Sequence, residues 1–487
     1  MRLKPLNIAI YAGITALWLL SMGVLINRHY GHRSADIADG ADLPEELLKE
    51  QWMGIYQAGK KIGYSMTKTE PLSRSIGNGY KTHELVFMRT KVIGIQKDIK
   101  MTSDAILDKA FRLSSFVFNL ESDINMTING SMKENGMDIT VEIAGIKSGQ
   151  RISLSEPPYT SFSLLPDMLK SGVKKGQRIK KPVMEPSALT VADMEIEVLG
   201  EEEITVMGEK INSFKLRGLY QGLDVLMWIT DKGEVLKEES MGFLSIKEDK
   251  ENAQRMDGET VDLIKEVSIP FDMKLPQDVS YLKVRLSGIK PDDFELNGGT
   301  QRLIADVLEI TAPVLNKIYS EPNGMDEYLK DTLFVQSKDP EIVSVSREIV
   351  GAETNILEKA RLIYQWVYVN IDKTPAMTIP SAKEVLKAKR GDCNEHTTLY
   401  TALSRASGIP TRIAVGITYV RGYFYYHAWP EIYLNEWIPI DPTLGEFPAN
   451  ASHIRLLTGG MDKQVKLMSV IGKLKLHGIE YRVKAGD

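Results

Sequence analysis

Lys389-Arg390-Gly391-Asp392-Cys393-Asn394-Glu395-His396 contains the only cysteine of a 487-residue chain. Asp392 is a good helix N-cap, and Glu395 three residues later completes a capping-box pattern, so a helix is expected to start at about Cys393. Leu399, Ala402, Leu403 and Ala406 give that helix one apolar face, and Gly408 with Pro410 ends it. A thiol at a helix start meets unpaired backbone N–H groups and the positive end of the helix dipole, which favour the thiolate. With an unperturbed pKa of about 8.5 a thiol is mostly protonated at neutral pH, so a nucleophilic cysteine also needs a base. The polar neighbours Asp392, Asn394 and Glu395 argue against a cysteine kept only for packing.

Downstream, Tyr425-Tyr426-His427-Ala428-Trp429 and Ile440-Asp441-Pro442-Thr443 read as the two strands of a hairpin that turns near Asn435 and Glu436. An imidazole can take the thiol proton, and a carboxylate can hold that imidazole in one tautomer and support its charge. The register decides whether they meet. A two-residue loop pairs Leu434 with Trp437 and puts His427 and Asp441 on opposite faces. A three-residue loop pairs Tyr433 with Trp437, sets Trp429 opposite Asp441, and makes His427 its diagonal neighbour on the same face. That register is expected, or a bulge near Pro439 or Pro442 with the same effect. The candidate catalytic residues are Cys393 as nucleophile, His427 as base and Asp441 as orienting acid. The Cys393 N–H is the natural first oxyanion donor, with a second from the Tyr364–Asn370 region. His396 could compete as base, but no carboxylate is placed to orient it, so it is expected behind the site or in solvent. His453 is read as a structural hydrogen-bonder. His29, His32, His83 and His477 have no partner pattern, and neither a metal site nor a cofactor is expected. A single cysteine also rules out an intramolecular disulfide and a cysteine-built zinc site.

The remaining chain divides by texture. Hydrophobic residues make up 43% and charged residues 26%, with a net charge of −5 that offers nucleic acid no bulk attraction. Leu6 to Ile26 runs 21 residues without a charge, and at about 1.5 Å per residue it reaches roughly 30 Å. Residues 1–27 are therefore expected to form an uncleaved membrane anchor, with the body outside the cytoplasm on the periplasmic side. No small-x-small cleavage site follows Ile26, and a lipoprotein signal would need a cysteine near the N-terminus. Residues 28–48 read as a linker and 49–266 as a β-rich domain. In the latter Phe116, Phe118 and Leu120, then Ile124, Met126 and Ile128, then Met137, Ile139, Val141 and Ile143 alternate with period two. Asn129-Gly130, Asn135-Gly136 and Asp231-Lys232-Gly233 supply turn chemistry, and a large curved sheet or partly closed barrel is expected. The basic tract Lys170–Lys181 reads as a solvated hairpin tip. Residues 267–339 form a β-containing transition region. In 340–487 the helical spacing of Leu357, Ala360, Ile363, Tyr364 and Val367 marks one helix, and Ser381–Lys389 a second.

Four of these stretches, Arg390-Gly391-Asp392-Cys393, Gly408-Ile409-Pro410-Thr411-Arg412, His427-Ala428-Trp429 and Asp441-Pro442-Thr443, resemble the transglutaminase-like superfamily. The resemblance runs from about Leu357 to Leu457. It implies a papain-like α+β core with Cys393, His427 and Asp441 in the roles given above. Members of that superfamily cross-link glutamine to lysine or hydrolyse peptide and related amide bonds. The β-rich part resembles the exported region that precedes such cores in bacterial membrane-anchored proteins. No acidic loop of the kind behind the calcium dependence of animal cross-linking enzymes is present. The expected fold class is α+β, comprising an N-terminal transmembrane helix, a large antiparallel β-rich domain and a C-terminal papain-like transglutaminase core. The expected function is a membrane-anchored cysteine-dependent acyltransferase or amide hydrolase acting on a protein or peptide through a thioester. The alternative is a non-catalytic envelope binding or scaffold protein whose β-rich domain holds a peptide or lipid.

Overall fold

The structure, a computed structural model, describes residues 43–484 apart from 74–77, 93–94, 123–124, 144, 161–162, 171, 188, 257, 259, 263–265, 316–323 and 375–380. The described chain divides into two compact units, the first ending at Asp262 and the second following it.

The first unit is built on a 14-stranded antiparallel sheet. Consecutive hairpins lead from Gln51–Gln57 out to Ile146–Ser153, and a second series returns from Arg178–Glu185 to Phe243–Glu248. The first and last strands join, from Trp52 opposite Glu248 to Gln57 opposite Phe243. Tyr159 bridges Arg112 on one side and Val183 on the other, which ties the edge strand Arg178–Glu185 back towards the middle of the sheet and curls it. Period-two burial drives this arrangement: Phe116, Phe118 and Leu120 are inside while Val117 is 38% exposed, and Met137, Ile139, Val141 and Ile143 are all buried. Methionines 53, 88, 101, 126, 137, 194 and 227 fill much of the interior, where an unbranched thioether adapts to the irregular space left by a curved sheet. Glu185 is buried too. It accepts from the Ser187 N–H at 3.1 Å and hydroxyl at 2.6 Å, yet burial pushes its carboxyl up to about 7.

Asn135 is a true turn residue, left-handed at φ 58° beside the Lys133–Gly136 pair. Asn129-Gly130 is not a turn but lies within the strand Met126–Lys133. The glycine there makes room for the Phe116 ring, since a Cβ would fall 2.1 Å from Phe116 Cε1. Two residues of the basic tract meet acids on the next strand, Arg178 at 2.8 Å from Glu197 and Lys180 at 2.8 Å from Asp193.

In the second unit a five-stranded sheet carries Ile269–Pro270, Tyr423–Tyr433, Thr411–Val420 and His453–Thr458 in that order, with Trp437–Pro439 also paired to Tyr423–Tyr433. The helix Cys393–Ala406 packs against it, and the helices Pro340–Val350, Ile356–Asn370 and Ala382–Ala388 pack around that helix. Their shared core joins Ile342, Ile363, Val367, Leu399 and Leu403 to Ile432 and Ile438 of the sheet. Val279–Ser287 pairs with Lys475–Val483 in a separate four-stranded sheet, so residues preceding the helices are knitted to the last strand of the unit.

The α+β expectation with an N-terminal transmembrane helix is corrected. The protein is mostly β, at 50% strand and 18% helix, because the 14-stranded sheet outweighs the helices of the second unit. Among the described residues no helix is long and apolar enough to cross a membrane, and the Leu6–Ile26 stretch lies outside them.

Candidate active site

The cysteine helix begins as its sequence dictates. The Asp392 side chain accepts from the Asn394 N–H at 2.7 Å, while Glu395 Oε2 accepts from the Asp392 N–H at 2.8 Å. The reciprocal cap requires glycine at 391, where a Cβ would fall 2.2 Å from the Glu395 Cβ. Burial, with the Glu395 charge beside it, raises the Asp392 carboxyl well above its usual range. Cys393 is fully buried at the first helical position. One turn on, the Thr397 hydroxyl donates to the Ala428 carbonyl at 3.1 Å. Cys393 shares that helix face, and His427 precedes Ala428, so the thiol end of the helix is set against the histidine strand.

The hairpin adopts the three-residue loop. Tyr433 pairs with Trp437, Asn435 turns the chain at φ 63°, and the Ile440 N–H continues the register by donating to the Pro430 carbonyl at 2.9 Å. His427 Nε2 accordingly stands 2.7 Å from Asp441 Oδ2. The second carboxylate oxygen accepts from the Thr443 and Leu444 N–H groups at 2.8 Å each. His453 Nε2 also reaches Oδ2, at 3.0 Å. Burial opposes a charge on Asp441, but the two imidazoles and their hydrogen bonds outweigh it and hold the carboxyl far below its usual range. An ionised Asp441 only accepts, so both Nε2 atoms carry protons and donate. His427 Nδ1 is then the position left to gain or lose a proton, and among the described residues it has no hydrogen-bond partner. Trp429 stacks on the His427 ring at 6.0 Å between centroids, and His453 meets Trp429 edge-on at 5.2 Å.

His427, Asp441 and His453 bring three ligand-type atoms within 4.8 Å of one another. Asp441 Oδ2 and both Nε2 atoms are already joined by hydrogen bonds within the cluster. His453 proves to be a hydrogen-bonder whose partner is the acid of the candidate triad, which its place in the sequence did not reveal. His396 is buried rather than solvated. Its Nδ1 lies 2.6 Å from the Asp392 carbonyl, and burial lowers its pKa to about 4, leaving it neutral and a poor base. Lys373, absent from the sequence reading, lies alongside the cysteine segment, where Asp372–Lys373 pairs in parallel with Arg390–Gly391. Nothing local marks that lysine, because the pairing spans residues 18 apart.

A helix-start cysteine, on a helix packed against a sheet that carries a buried histidine–carboxylate pair, brings together the residue types that cysteine-dependent hydrolases and acyltransferases use. Residues 343–442 match the model of the transglutaminase-like superfamily, and this part of the chain is a transglutaminase-like core domain. An uncharacterised protein of Haemophilus influenzae is 31% identical over 120 residues, which are 24% of this chain and 32% of that protein. The match thus spans about a third of the relative's length. Among solved structures, a candidate cysteine protease from Cytophaga hutchinsonii aligns over 43% of this chain and 89% of its own, at 16% identity and a TM-score of 0.28. A β-barrel-like protein of unknown function from Brucella abortus aligns over 41% of this chain and 94% of its own, at 11% identity and a TM-score of 0.30. Alignments this loose do not bear on activity.

Proposed function

We propose that the second unit is a cysteine enzyme that transfers or hydrolyses an acyl group held in an amide of a protein or peptide. The observation that carries this reading is the buried 2.7 Å hydrogen bond from His427 Nε2 to Asp441, which leaves Nδ1 unpartnered on the strand that the cysteine helix packs against. Nδ1 takes the thiol proton, and the thiolate attacks the amide carbon. The resulting oxyanion draws on the backbone N–H at the helix start. As the tetrahedral intermediate collapses, the His427 imidazolium returns its proton to the leaving amine and Cys393 keeps the acyl group as a thioester. Water or a second amine, deprotonated by the same nitrogen, then attacks the thioester and regenerates the thiol. Asp441 holds the tautomer and supports the imidazolium without taking its proton.

One observation favours the other reading, a binding or scaffold protein: Cys393 has 0% exposure. The test is intact-mass labelling of the full chain with iodoacetamide across pH, beside His427→Ala. Rapid labelling at a pH well below ~8.5 that is slowed by the substitution supports the enzyme. Slow labelling with the same profile in both proteins would move the scaffold reading to first place.

A further inference from the structure

Lys373 is a charged group of this region that the proposed reaction does not use. Its backbone is fixed beside the nucleophile. The Asp372 N–H donates to the Lys389 carbonyl at 2.7 Å and the Thr374 N–H to the Gly391 carbonyl at 3.1 Å, two residues before Cys393. Its ammonium turns back over the Tyr368 ring, 3.5 Å from the centroid, and donates to the Tyr368 carbonyl at 3.2 Å. That ring in turn lies on the acid's turn, since a Cβ at Gly445 would fall 2.7 Å from Tyr368 Cε2, and the Gly445 N–H donates to the Asp441 carbonyl at 3.0 Å. The cation is therefore held between the strand that leads into Cys393 and the turn that holds Asp441.

We infer, building on the proposed function, that Lys373 is a positioning residue whose cation supports the Cys393 thiolate. A nearby lysine lowers a thiol's pKa by favouring its anion. The titratable and charged groups around it are Arg390 on the paired strand, Asp392, Glu395 and His396 on the cysteine helix, Asp441 and Glu446 on the acid turn, and Tyr364 and Tyr368 on the helix beneath. Two of them meet it electrostatically: burial favours loss of the Lys373 proton and the Asp441 charge opposes that loss, while burial lowers the His396 pKa and the Lys373 charge adds to the effect. Partial burial brings the lysine itself down to about 8, so its charge is present at neutral pH and fades just above it.

The test is the pH profile of iodoacetamide alkylation, read by intact mass on the full chain, for wild type, Lys373→Met, Lys373→Gln, Lys373→Arg and His427→Ala. Thermal melting confirms that each variant is folded, and the glutamine variant stands in if the methionine variant is not. The neutral variants are expected to move the acid limb up by about one pH unit, which is about tenfold slower labelling at a fixed pH on that limb. Lys373→Arg should keep the wild-type limb, a rescue that a merely structural role for the stem would not predict from charge. If the neutral variants overlay wild type while His427→Ala is displaced, the inference is overturned and the enzyme reading stands. If His427→Ala overlays wild type as well, both fall together.

Discussion

Glu185 in the first unit and Asp441 in the second are both buried carboxylates, and their proton affinities move in opposite directions. Glu185 has a serine for a partner, and burial carries its carboxyl up to about 7. Asp441 faces the same burial but meets two imidazoles and two backbone N–H groups, and it stays ionised far below the usual range. Desolvation alone favours the neutral acid, and enough hydrogen-bond donors and nearby positive charge reverse it. Burial alone therefore does not set a carboxyl's charge; its partners do.

The comparison breaks most visibly in stability. Removing a buried charge's partner leaves the other uncompensated, so Asp441→Ala should cost about 3–5 kcal/mol in denaturant unfolding at pH 7. The pH dependences should run oppositely. The Asp441 pKa is depressed, so its contribution is present at neutral pH and lost as pH falls below the unfolded value of 3.8. The Glu185 pKa is raised from 4.5 to about 7, so stability is lost as pH climbs through that window. About 2.5 units at 1.36 kcal/mol each make this roughly 3 kcal/mol. Glu185→Gln should flatten the window, and equal slopes for wild type and variant between pH 4.5 and 7 would show that Glu185 ionises freely.

Next in size, His427→Ala should slow Cys393 alkylation at pH 6 by about a hundredfold, the lower range of general-base effects. The same measurement on Glu185→Gln should show no change, which sharpens the contrast between the two acids. The smallest effect concerns the helix start. Glu395→Ala removes one half of the reciprocal cap and should lower stability by about 1 kcal/mol, read as a few degrees in thermal melting.

Much of the site geometry was legible because it rests on local rules. Asp392 and Glu395 specify the cap, and the parity of the Leu434–Glu436 loop specifies which side chains share a face. The alternation of Phe116, Phe118 and Leu120 likewise announced a half-buried strand. Contacts distant in sequence were not legible. His453 meets Asp441 only once the strand His453–Thr458 has joined Thr411–Val420, and Lys373 reaches the site through a parallel pairing that no spacing announces. Asn129-Gly130 misled for a related reason. The same dipeptide that suits a turn also suits a strand whose neighbour needs room for a phenylalanine ring.

The seam between Gln51–Gln57 and Phe243–Glu248 has a consequence for how the first unit forms. Its other strand pairs join neighbours along the chain, most through short turns, and can zip as soon as each hairpin emerges. The seam alone must wait for nearly two hundred residues to be synthesised, and closing so long a loop costs about 2–3 kcal/mol more entropy than closing one of ten. Non-local pairing of this kind slows folding. Until the last strand arrives, Trp52 to Gln57 present an open edge, so growth from the ribosome is the period when this unit is most exposed to mispairing with another copy of itself.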